Sequence, residues 1–172
     1  MITGEPSSLP SAKARSKARS TVWGYVASAG SENAPLAPLV RGDIKFGRFS
    51  SEVAHKIVKR GISSKAIDPL SEVLRLPKGV LVQYLDLDRT TANRRAAKGL
   101  LLPTHSAEGM LRLLELDEMA ADIFETEDEA SQWLLKPHPM LDGETPMQTA
   151  ASAYGMQRVK DILVAIKYGG VV

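Results

Sequence analysis

The sequence contains no cysteine. Disulfides, cysteine-based zinc sites and a thiol nucleophile are therefore excluded. Histidine is scarce: His55, His105 and His138 are the only three, and none stands in a His-Glu-x-x-His pattern, which removes the classical zinc-hydrolase helix. Aromatics make up 5% of the 172 residues, so any core must be mostly aliphatic. No apolar run approaches the roughly 18 to 20 residues that span a bilayer. The cationic stretch Lys13, Arg15, Lys17 and Arg19 is not followed by the apolar core of a signal peptide. Convincing strand alternation is missing throughout. What remains is an all-α, cytoplasmic protein of one ordinary domain or two small ones, with no membrane association.

The charge that is present is unevenly placed. The formal net charge of +2 conceals +6 in residues 1–60, +3 in residues 61–112 and −7 in residues 113–172. A basic front half can meet phosphate, whereas an acidic back half is repelled by it, so the two ends point to different partners.

Residues 1–48 are rich in Ser, Ala, Lys, Arg, Gly and Pro and lack steady periodicity, which predicts a disordered or loosely packed basic segment. Whether Trp23 and Tyr25 pin it to a neighbour is not decided by the sequence. From Phe49 onward helical signals dominate. Residues 49–112 form a predicted DNA-binding domain and residues 113–172 a second helical unit, with a long helix over 104–124 bridging the two. Met110, Leu113, Leu114 and Met119 on that helix serve either the core or a dimer seam.

The front unit carries a helix-turn-helix pattern over Pro77 to Gly99. Val82 and Leu85 face the core from the first helix, and Ala92 packs at the crossing with the second. The turn asks for a left-handed backbone. Asp86 stands there in place of the usual glycine, at a cost of roughly 1 kcal/mol. The second helix then presents Arg89, Thr90, Thr91, Asn93, Arg94, Arg95 and Lys98, and Lys78 opens the first. Arginine pairs with guanine edges or phosphate, asparagine with adenine, and threonine with phosphate or the thymine methyl. The alternative is a basic helix that only faces water.

The back unit has a distinctive string: Ala130 to Trp133, Leu141-x-Gly143-x-Thr145-Pro146, a break at Gly155, and an amphipathic helix from Val159 to Tyr168-Gly169. Thr145, Pro146 and Gln148 read as an N-cap, first helical position and capping-box partner. Trp133 reads as a core anchor, and Gly155 as the end of the helix begun at Pro146. This string resembles the toxin-binding domain of the Xre/MbcA/ParS antitoxins. The helix-turn-helix is similar to the Xre-like one of that family, with Thr91, Arg94 and Arg95 in its Thr-x-x-Arg-Arg stretch.

The resemblance implies an antitoxin of a type II toxin–antitoxin pair. Its toxin would be a RES-domain enzyme that degrades NAD, neutralised when the antitoxin's C-terminal region covers the active-site entrance. The antitoxin would also bind operator DNA and repress its own operon, as a homodimer and within a higher toxin–antitoxin complex. Candidate toxin contacts are Lys160, Asp161, Lys167, Tyr168, Gly169, Gly170, Val171 and Val172, the last two forming an apolar tip suited to plugging a pocket. A stand-alone helix-turn-helix regulator is the alternative. Glu115, Asp117 and Glu118 cluster on one helix without a histidine or a glycine-rich loop nearby, so the sequence predicts no enzyme and no cofactor.

Overall fold

The computed structural model describes residues 12–28 and 50–169. Gly170, Val171 and Val172, among the candidate toxin contacts, lie outside the described residues, as does most of segment 1–48. The described residues form nine α-helices: α1 (Ala12–Ala27), α2 (Ser51–Arg60), α3 (Ile67–Leu74), α4 (Lys78–Tyr84), α5 (Arg89–Ala97), α6 (Thr104–Ile123), α7 (Glu127–Leu135), α8 (Pro146–Thr149) and α9 (Ala153–Lys167). Single 3-10 turns occur at Ser64–Ala66 and Pro139–Leu141. An isolated antiparallel bridge joins Ser63 to Leu101, and there is no strand among the described residues. The fold is all-α, as expected.

Local chemistry sets most of the helix ends. Ser50 accepts the Val53 N–H at 3.2 Å to open α2, and Gly61, at φ 85°, closes it. Asp88 accepts the Thr91 N–H at 2.8 Å to open α5. Thr145 and Gln148 form a reciprocal capping box, with Pro146 at the first position of α8. A second box, Thr126 with Glu129, opens α7.

α6 is the central helix. It buries Ala107, Met110, Leu113, Leu114, Leu116 and Met119 on nearly all sides, so these methionines and leucines belong to the chain's own core rather than to a dimer seam. α9 runs parallel to α6. Glu115 pairs with Lys160 and Asp122 with Lys167, each pair 45 residues apart in sequence, at 2.8 Å and 2.6 Å.

The N-terminal expectation fails where it can be compared. Instead of a loose segment, residues 12–27 form a helix docked on α3, α6 and α7. Its inner face is Arg15, Ala18, Arg19, Val22 and Val26, at helical spacing, with Val22 and Val26 fully buried. Arg15 is 1% exposed. Its guanidinium donates from Nε to Val73 O at 2.9 Å, from Nη1 to Glu127 O at 3.0 Å and from Nη2 to Asp117 Oδ1 at 3.0 Å. Arg19 donates to the other Asp117 oxygen at 2.5 Å and to Glu127 at 2.9 Å. Burial pushes the Asp117 and Glu118 carboxyls above their usual range, against the pull of Arg19 on both and of Arg15 on Asp117. Burial also opposes the charge on Arg19, but Asp117, Glu118 and Glu127 outweigh it and raise the guanidinium further.

Gly155 also differs from expectation. α8 ends at Thr149, and Gly155 lies in the first turn of α9, where its N–H donates to the N-cap Ser152 at 3.0 Å. A Cβ there would fall 1.8 Å from Thr149 O and 2.8 Å from Thr149 C. The glycine is a close-approach position that lets α9 start against the end of α8.

Two stability predictions follow from these contacts. Arg15→Ala leaves Asp117 buried with Arg19 as its remaining cation, and should destabilise the protein by about 3–5 kcal/mol in urea unfolding followed by Trp23 fluorescence. Gly155→Ala would gain ~1 kcal/mol from helix propensity alone. The clash with backbone should reverse that sign, costing about 1–3 kcal/mol or more, read as a lower urea midpoint.

Candidate functional site

The front surface is built on α4 and α5. Leu81 and Val82 of α4, Leu85 at its C-cap and Ala92 of α5 are buried, which fixes the crossing. Between the helices Asp86 takes φ 52°, the left-handed conformation expected of it. Its N–H donates to Gln83 O at 3.0 Å, and the Leu87 N–H donates to Val82 O at 2.9 Å. Ser106, at the start of α6, donates to Leu85 O at 2.6 Å and ties the motif to the central helix.

The eight predicted DNA-contact residues separate into two groups. Arg89, Thr90, Asn93, Arg94 and Lys98 are exposed on α5. Arg89, Arg94 and Lys98 make no ion pair among the described residues, so their charge is uncompensated within the chain. The other three have structural work. Thr91 donates its N–H to Asp88, and its hydrogen bonds hold that carboxyl below its usual range. Arg95 donates to Leu101 O at 2.9 Å and fixes the chain leaving α5. Lys78 pairs with Asp68 at 2.5 Å.

The predicted toxin contacts also divide. Lys160 lies half-buried against Glu115, because α9 packs along α6 at that level. Lys167 is held by Asp122. Asp161 is exposed and accepts from Gln157 at 2.8 Å. Tyr168 is 80% exposed where α9 ends, and Gly169 follows at φ 73°. Trp133 is half-buried, with Phe124 at 5.7 Å and His138 at 6.0 Å between ring centroids, in keeping with an anchoring role.

Sequence reasoning passed over two residues on α9. Tyr154 is 90% exposed in the first turn, and Arg158 donates to Met140 O at 3.0 Å and to Asp142. Reading Gly155 as a helix end hid them, since it put Tyr154 outside the last helix. A cleft of about 480 Å³ between α2, α6 and α9 is lined by Glu108, Arg112, Glu115 and Lys160. Two of its charges are spent on each other, and Arg112 donates to Ala151 O at 3.1 Å.

The carboxylates considered as enzymatic candidates are likewise engaged: Glu115 with Lys160, Asp117 with Arg15 and Arg19, and Glu118 with Arg19. Among the described residues there is no cluster of three or more metal-ligating side chains, and no helix is long and apolar enough to cross a membrane.

The chain thus carries an exposed basic helix, α5, and on α9 a separate helix face that bears exposed tyrosines. Residues 119–169 match the family model of the antitoxin Xre/MbcA/ParS C-terminal toxin-binding domain. The chain is also 26% identical over 122 residues to the "Prs ADP-ribosylating antitoxin" of Sphingobium sp. (strain YBL2), covering 66% of this chain and 77% of that protein. Residues 119–169, the end of α6 together with α7, α8 and α9, thus correspond to a toxin-binding domain of the Xre/MbcA/ParS kind, and the chain as a whole is similar to an antitoxin.

Proposed function

We propose that this antitoxin neutralises a RES-type, NAD-degrading toxin by covering its active-site entrance with the C-terminal end of α9, and that it represses its own operon through α5. The observation that carries the toxin reading is the placement of Tyr168 and Gly169, exposed at the end of the longest helix that lies wholly within the toxin-binding domain. A pocket that takes NAD must accept a dianionic pyrophosphate and so presents basic groups. The −7 charge of residues 113–172 is attracted to such a pocket. The similar protein from Sphingobium is named for ADP-ribosylation, a chemistry that draws on NAD, which supports a toxin of this kind. Neutralisation by binding requires no enzymatic step from the antitoxin and no cofactor.

The operator reading rests on Arg89, Arg94 and Lys98, exposed and uncompensated on the second helix of a helix-turn-helix. Two-fold operators would call for a homodimer, with the higher toxin–antitoxin complex built on it. A stand-alone regulator would leave the toxin-binding domain without a use.

The deciding experiment is co-expression with the neighbouring gene, reading growth and cellular NAD. The neighbour alone should collapse NAD and this chain should restore it. A harmless neighbour, or one this chain fails to bind, sinks the proposal. Deleting residues 168–172, which spares the Lys167–Asp122 ion pair, should abolish rescue while leaving operator binding intact. Arg94→Ala should do the reverse, weakening operator binding by about 1–3 kcal/mol if it reads a base, with rescue unchanged.

A further inference from the structure

The outer face of α9 is laid out as a docking stripe. Residues 154, 158, 161, 165 and 168 recur at alternating spacings of four and three, so they share one side of the helix. Tyr154 and Tyr168 stand at its two ends, 90% and 80% exposed. At 1.5 Å per residue they are about 21 Å apart along the axis. Between them Arg158 draws Met140, itself 50% exposed, against the helix through its carbonyl. These three are all of the exposed large hydrophobic residues found within the matched toxin-binding segment; the two tyrosines share one face of α9, and Met140 is tethered to that helix by its carbonyl.

The charges on the stripe are sorted. Arg158 is satisfied by Asp142 and the Met140 carbonyl, so it holds the loop rather than reaching outward. Asp161, midway between the tyrosines, makes no ion pair among the described residues. The stripe therefore presents two aromatic anchors, a methionine and one carboxylate. Tyrosine combines a large apolar area with few rotatable bonds, which is why it is over-represented among residues that dominate binding energy.

We propose that Tyr154, Met140 and Asp161 form, with Tyr168, the toxin-contact face, and that the toxin meets it with apolar pockets flanking a lysine or arginine. This rests on the toxin reading above and extends the contact from the C-terminal end of α9 back along its whole length. A surface bearing cations beside an NAD pocket is complementary to Asp161. The positions are exposed, so truncating them leaves the core untouched.

The test uses the full chain and the purified product of the neighbouring gene, with calorimetric titration. Wild type is measured beside the deletion of residues 168–172 and the variants Tyr154→Ala, Asp161→Lys and Gln132→Ala, the last on the exposed side of α7. The expected result is at least tenfold weaker binding for Tyr154→Ala and for Asp161→Lys, with Gln132→Ala unchanged and circular dichroism the same for all. If wild type binds and the deletion weakens it, yet Tyr154→Ala and Asp161→Lys bind within twofold of wild type, the stripe is wrong and the C-terminal mechanism stands. A change in the antitoxin's own oligomeric state with toxin affinity preserved also overturns the stripe, since the face then serves a second copy. Absence of wild-type binding overturns both.

Discussion

The buried guanidinium of Arg15 is the constraint on which the arrangement of the helices turns. Taking a charged pair out of water costs several kcal/mol per ion, and this is offset only when partners and hydrogen bonds are in place. Arg15 meets that condition by reaching three elements at once: the last turn of α3, the middle of α6 and the start of α7. Its contact with Val73 O also sets a cation at the negative end of the α3 dipole. None of these elements can shift without stranding a buried charge. α3, the central helix and α7 are therefore indexed to one another through Arg15, and Arg75 reinforces this by pairing with Asp128 of α7.

From that point the orientation of the contact face follows in steps. α6 is fixed at Asp117, and two residues before and five beyond it Glu115 and Asp122 hold Lys160 and Lys167. Because the two pairs keep the same sequence offset, α9 lies parallel to α6 with its rotation set. Gly155 then allows the start of α9 to close on Thr149, which α8 and its capping box position in turn. The rotation that buries Val159, Ile162 and Leu163 is the one that turns Tyr154, Asp161 and Tyr168 outward. Lysines at 160 and 167 set the register of the face without being its outermost groups.

What could be read from the sequence was what neighbouring residues decide among themselves. Asp86 in the turn, Asp88 at the α5 cap and Thr145-Pro146-x-Gln148 at α8 act within a few residues, so their signals are local. The α1 helix was hidden for the opposite reason. Two of the five residues on its inner face are arginines, which read as solvated, and their carboxylate partners stand 98 to 112 residues away. No periodicity argument reveals that a charge is buried when its partner is so distant. Gly155 misled in a different way. Glycine is common just past a helix end and is also required where two backbones touch, and only the position of Thr149 O separates these uses.

The charge division of the sequence takes on a sharper meaning in the fold. In the back half Arg158, Lys160 and Lys167 pair with carboxylates of the same half, while Asp117, Glu118, Glu127 and Asp128 are met by Arg15, Arg19 and Arg75. On α5 the reverse holds: Arg89, Arg94 and Lys98 have no carboxylate pair among the described residues, while Asp88, the nearest acid, is committed to capping. Ion pairing thus leaves the cations of α5 unpaired, and in the back half Glu125, Glu129, Glu144 and Asp161 are the carboxylates without an ion pair among the described residues. Exposed cations such as those of α5 attract phosphate, whereas a segment of net negative charge is repelled by it and drawn to a basic protein surface. On the proposed reading, operator DNA and toxin would therefore meet different helices of the chain, α5 and α9, and need not compete for one surface.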